Sequence, residues 1–157
     1  MKKEKSEEQH RLDAEAYCAK AERSPQEVTR WLMRRDLSRE QIAVIMSHLT
    51  EQGFINERRY ISLYASDKLR FNGWGPYKIK FMLYEMGLDR ELVNALVPQV
   101  MEEEGALDIL RGILQRRIET LDEATPDQIE RKVIQWAVNR GFSRKDVYAI
   151  LKELQAE

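Results

Sequence analysis

The sequence predicts an all-α protein made of three tandem three-helix repeats forming an elongated, curved helical array. Three observations carry that prediction. Apolar residues recur at i, i+3, i+4, i+7 in Ile42, Ile45, Met46 and Leu49, again in Ile79, Met82, Leu83 and Met86, and again in Val147, Ile150, Leu151 and Leu154, which is the spacing of one helical face. Three phrases align: Asp36-Leu-Ser-Arg-Glu-Gln-Ile42, Gly87-Leu-Asp-Arg-Glu-Leu-Val93 and Gly141-Phe-Ser-Arg-Lys-Asp-Val147. A matching dipeptide precedes each of them, Ser24-Pro25, Gly75-Pro76 and Thr125-Pro126, so the prolines lie 51 and 50 residues apart. No segment shows the sustained alternation of β-branched residues that a strand requires.

Each repeat reads as a first helix, a Pro-started helix, a tight turn and a capped third helix. Residues 1–8 are expected to form a mobile tail. The repeats then run over 9–53, 54–104 and 105–157. Proline suits the first position of a helix, and Ser24 or Thr125 before it can cap the free N–H groups. Gly87 and Gly141 suit the left-handed residue that ends such a helix. Leu37, Leu88 and Phe142 then stand as staple residues before the N-caps Ser38, Asp89 and Ser143. The third copy runs ten residues from Pro126 to Trp136 where the first runs six from Pro25 to Trp31. The difference is about one helical turn, so the apolar face keeps its phase. Gly53 and Gly105 mark the seams, and Pro98 is expected to end or kink the last helix of the second repeat. Trp31 and Trp136, at equivalent positions, are expected in the core.

Composition narrows the function. The 157 residues carry 26 Lys+Arg against 27 Asp+Glu, a near-neutral, dense two-sign surface that excludes a strongly basic chain but not a local basic face. Cys18 is the single cysteine and cannot form an internal disulfide, which fits a reducing cytoplasm. The start offers no signal-peptide apolar region, and no run approaches a membrane span. His10 and His48 have no Cys or His at ligand spacing, so no metal is expected. Gly73-Trp-Gly-Pro76 lacks the strand and the Lys-Ser/Thr of a phosphate loop. Neither catalysis nor a cofactor is expected.

Binding residues are easier to name. Between residues 58 and 80 stand Arg58, Arg59, Lys68, Arg70, Lys78 and Lys80 against Asp67 alone, interleaved with Tyr60, Tyr64, Phe71, Trp74 and Tyr77. Such a stretch suits nucleic acid, an acidic partner or a solvated surface about equally. Tyr60, Tyr64, Lys68 and Phe71 share one helical stripe, on which Lys68 either snorkels or is held beside aromatics as a donor. Arg59 and Arg70, eleven residues apart, fall on one side of the same helix. Trp74, between two glycines, either pins the turn or is displayed. Arg30, Arg34 and Arg35 form a second basic stretch, for which Glu27 is an available local partner. Arg144 and Lys145 are offset by Asp146 and Glu153.

Phe54-Ile-Asn-Glu-Arg-Arg-Tyr60, Lys68-Leu-Arg70, Gly73-Trp-Gly-Pro76-Tyr-Lys-Ile79 and Leu83-Tyr-Glu-Met-Gly-Leu-Asp89 resemble the RecX family of bacterial recombination regulators. The resemblance is most specific in the middle repeat, and the repeat pattern extends it over nearly the whole chain. It implies a non-enzymatic, monomeric regulator that binds the RecA recombinase filament on DNA and restrains its ATPase and strand-exchange activities, with some capacity for single- or double-stranded DNA. By motif, Arg59, Tyr60, Lys68, Arg70, Gly73, Trp74, Gly75 and Pro76 match family positions. Gly73, Gly75 and Pro76 then shape the turn, and the basic residues are contact candidates. The competing expectation is a helical-repeat module that binds DNA or RNA directly.

Overall fold

The computed structural model describes residues 5–122 and 124–156. Regular structure among them is helical throughout: α1 (Glu7–Lys20), α2 (Pro25–Met33), α3 (Arg39–Glu51), α4 (Glu57–Asn72), α5 (Pro76–Glu85), α6 (Arg90–Glu104), α7 (Ala106–Glu119), α8 (Pro126–Asn139) and α9 (Arg144–Ala156). Residues 1–4 of the expected tail lie outside the described residues. Ser6 Oγ accepts from Gln9 N and starts α1 at Glu7, inside the segment expected to be mobile. No helix among the described residues is long and apolar enough to cross a membrane.

The boundaries follow from local chemistry. Ser24, Ser38 and Thr125 each form a capping box, their hydroxyls accepting from the backbone of Glu27, Gln41 and Gln128 while those side chains return a bond to the cap N–H. Asp89 accepts from Leu92 N, and Ser143 Oγ accepts from Asp146 N at 3.0 Å. Gly87 and Gly141 have φ of 81° and 102°, and in the first repeat Asp36 takes the same left-handed place at 55°. Aspartate tolerates that region better than most side chains. Pro98 neither ends α6 nor stops its packing. Val93, Leu96, Val97, Val100 and Met101 are buried on both sides of the exposed proline, and their burial outweighs the lost N–H.

The described residues divide into two compact units between Tyr60 and Ile61. In the first, α1, α2 and α3 pack on one another. Ala14, Cys18, Val28, Leu32, Ile45, Leu49 and Ile55 form its core. Trp31 is not inside this core but at its edge, stacked on Tyr17 with ring centroids 4.8 Å apart. Arg35 covers the indole at 4.6 Å, donates from Nε to His10 Nδ1 at 3.0 Å and pairs with Asp13.

In the second unit α5 packs on α6, α6 on α7, and α7, α8 and α9 on one another. Two turns interlock here. Gly75 N donates to Arg140 O at 2.8 Å, and Tyr77 N donates to Gly141 O at 2.9 Å. A Cβ on Gly75 would fall 2.4 Å from Gly141 C, and one on Gly141 would fall 2.5 Å from Lys78 Cβ. Glycine is required at both positions because the two backbones touch. Trp136, like Trp31, is half-buried rather than central.

Candidate functional site

The α4–α5 turn is built from its sequence. Gly73, at φ 65°, ends α4 by donating to Leu69 O at 3.2 Å, and Trp74 N donates to Lys68 O at 3.1 Å. Gly75 N-caps α5 and Pro76 starts it. Trp74 is half-buried. Lys68 Nζ lies 4.9 Å and Lys78 Nζ 4.5 Å from its ring centroid, and Lys68 also stands 5.5 Å from the Tyr64 ring. The pinned and displayed alternatives for Trp74 therefore merge, since the turn holds the indole while its ring gathers two ammonium groups. Burial pushes the Tyr64 hydroxyl pKa up, so that phenol stays neutral. Neither lysine has a carboxylate within ion-pair distance among the described residues. A cation held over an aromatic face by about 1 kcal/mol keeps its donors for an incoming anion.

The other expected contacts are distributed differently. Arg59 is engaged inside the first unit, where Nε donates to Glu22 Oε1 at 2.8 Å and Nη2 donates to Gly53 O at 3.1 Å. Arg70, in the second unit, lies 3.7 Å from Glu104 and 5.7 Å from the Phe71 ring. The pair expected to act as one basic face is thus neutralised separately. Tyr60 is half-buried, and Lys80 is half-buried on α5. Arg30 and Arg34 are exposed on α2. Glu27 does not serve Arg30, because it completes the Ser24 capping box and lies 3.9 Å from Arg23. Arg35 is committed to Trp31, His10 and Asp13.

A second cluster, in the second unit, joins Arg70 to three arginines that the sequence did not single out. A cleft of about 360 Å³ is lined by Arg70, Arg116, Arg117 and Arg140, with Phe71, Gly73 and Trp136 among its walls. Arg117 and Arg140 share the Trp136 ring, their guanidinium carbons 5.1 and 4.7 Å from its centroid. Among the described residues, no Asp or Glu lines it. A signal for Arg140 was present, since it follows Trp136 by four residues as Arg35 follows Trp31. Arg116 and Arg117 gave none, because adjacent arginines in a helix of mixed charge look like solvated surface.

Residues 56–96, which carry the Trp74 turn, match the RecX second three-helix domain. The regulatory protein RecX of Lactococcus lactis subsp. cremoris (strain SK11) is 28% identical over 137 residues, covering 86% of this chain and 51% of that protein. RecX of Staphylococcus aureus (strain JH9) is 20% identical over 138 residues, covering 88% and 50%. The crystal structure of RecX from Lactobacillus salivarius superimposes with a TM-score of 0.88 at 19% identity, over 96% of this chain and 97% of that one. Over most of its length the chain is similar to RecX proteins. It spans about half the length of the curated RecX proteins it matches. A second RecX crystal structure has the same fold, with a TM-score of 0.77 at 19% identity over 94% of this chain and 73% of that one. The matched RecX domain contains Arg59, Lys68, Arg70, Trp74, Lys78 and Lys80, whereas Arg116, Arg117 and Arg140 lie beyond it.

Proposed function

We propose that this chain is a non-enzymatic, monomeric, cytoplasmic regulator that binds the RecA recombinase filament on DNA and restrains its ATPase and strand-exchange activities. The match of residues 56–96 to the RecX second three-helix domain carries the reading. The chemistry of that segment supports it. Lys68 and Lys78 present ammonium groups on Trp74 without a carboxylate among the described residues, a ready contact for acidic side chains or phosphates of a nucleoprotein surface. Several repeats attached to one filament would strengthen weak single contacts by raising the effective concentration of each. Bridged protomers would then lose the freedom that an ATPase cycle needs.

Co-sedimentation with RecA assembled on single-stranded DNA tests the proposal. The protein is expected to pellet with the filament and to remain in solution with RecA-free DNA at moderate salt. Equal pelleting with bare and RecA-coated DNA would favour the direct nucleic-acid module instead.

A further inference from the structure

Two surfaces play no part in that reading, and each lacks what the other offers. The first is on α2, where Arg30, Met33 and Arg34 fall at i, i+3, i+4 and share one face. Both arginines are exposed, and Met33 is 64% exposed with them. Neither arginine has a carboxylate within ion-pair distance among the described residues. The second surface belongs to the second unit. There the left-handed Gly105 joins α6 to α7 beside a groove of about 480 Å³. Met101, Leu107 and Phe142 give it apolar walls, although Leu107 is left 56% exposed. Glu102, Asp108 and Asp146 also line it, and no Lys or Arg among the described residues does. None of these three carboxylates has a cation within ion-pair distance among the described residues.

Exposed apolar side chains among uncompensated charges of one sign mark a contact surface. We propose that the α2 face of one copy of this chain, Arg30, Met33 and Arg34, docks in the Gly105 groove of a second copy. Charge complementarity selects this occupant. Two unpaired cations accompany one apolar anchor on α2, and three unpaired carboxylates accompany one apolar recess. Met33 is unbranched and polarizable, so it adapts to an irregular recess. Other basic segments with an exposed ring are already engaged, since Arg70 beside Phe71 lies by Glu104 and Lys152 covers Tyr148. The two patches are different surfaces, so copies join head to tail. A contact of one helix face falls below the roughly 1,000 Å² that a stable interface buries. The chain therefore stays monomeric when dilute, and copies associate when they are concentrated or held side by side.

The test is sedimentation equilibrium of the protein alone, so failure leaves the filament reading standing. The weight-average mass of wild type should match one chain at about 10 µM and rise by roughly half or more toward about 1 mM, with the rise lost at high salt. Arg30→Glu with Arg34→Glu should abolish the rise, and so should Glu102→Lys with Asp108→Lys, because each puts like charges face to face. An equimolar mixture of the two variants should recover it, since opposite charges then meet again. Met33→Ser should weaken association about tenfold, the effect of one lost buried side chain. Circular dichroism melting of each variant separates lost contact from lost fold. A constant mass in wild type, a rise that persists in either charge-reversed variant, or a mixture no heavier than its components would overturn the proposal. A constant mass would leave the groove to a basic segment of another protein.

Discussion

Single residues give the first checks. Asp13 accepts from Lys5, Gln9 and Arg35, and these partners hold its carboxyl at about 2, below the ordinary 3.8. A carboxyl depressed in the folded state stabilises it fully above the ordinary value and loses that contribution as pH falls through the folded one. The first unit should therefore lose stability between about pH 4 and pH 2, and Asp13→Asn should flatten that dependence in melting curves across this range. Gly141 tests a different kind of constraint. At φ 102° and in backbone contact with Lys78, an alanine there should cost about 3 kcal/mol in chemical denaturation. Gly53 has φ 79°, but a Cβ there would meet nothing within 4 Å, so Gly53→Ala should cost only about 1 kcal/mol. Cys18 is buried at 8% exposure, and desolvation raises its thiol pKa. It should react with a thiol reagent only slowly until the first unit unfolds.

At the scale of elements, the capping chemistry sets where helices begin. Ser24 is 3% exposed and forms both bonds of its capping box. Ser24→Ala should cost about 1 kcal/mol in denaturant melts, with unfolding as the readout. Caps and prolines were legible in the sequence because their effects are local, acting within three or four residues. The aligned prolines became the starts of α2, α5 and α8, and Asp36 stood correctly aligned with Gly87 and Gly141 in the left-handed place. Pro98 does not end α6, because the five buried neighbours that hold the helix outweigh the breaking tendency of one residue. The tryptophans were misplaced for a related reason. Their apolar helical faces point inward, but an indole beside Arg35 or Arg140 stays at the core's edge and spends its ring on a cation. The cleft was the least legible feature, since Arg70 and Arg140 are far apart in sequence and only the interlock of the Gly75 and Gly141 turns accompanies their approach.

At the scale of the whole molecule, the proposed regulatory role rests on the similarity to the RecX second three-helix domain and on the basic turn in the middle repeat. Lys68 and Lys78 are the residues on which it depends most, because Arg59 and Arg70 already have Glu22 and Glu104. The charge pairs of Arg59 and Arg70 are partly exposed and worth at most about 1 kcal/mol, so they adjust rather than anchor. The most direct measurement is the single-stranded-DNA-dependent ATPase of RecA, titrated with the wild-type chain and with the Lys68→Glu, Lys78→Glu variant after both are shown to be folded. Inhibition at or below one chain per recombinase protomer, with the midpoint moved by about tenfold in the variant, is the predicted result. An unchanged ATPase across the wild-type titration, or a variant that inhibits as strongly as wild type, would contradict it.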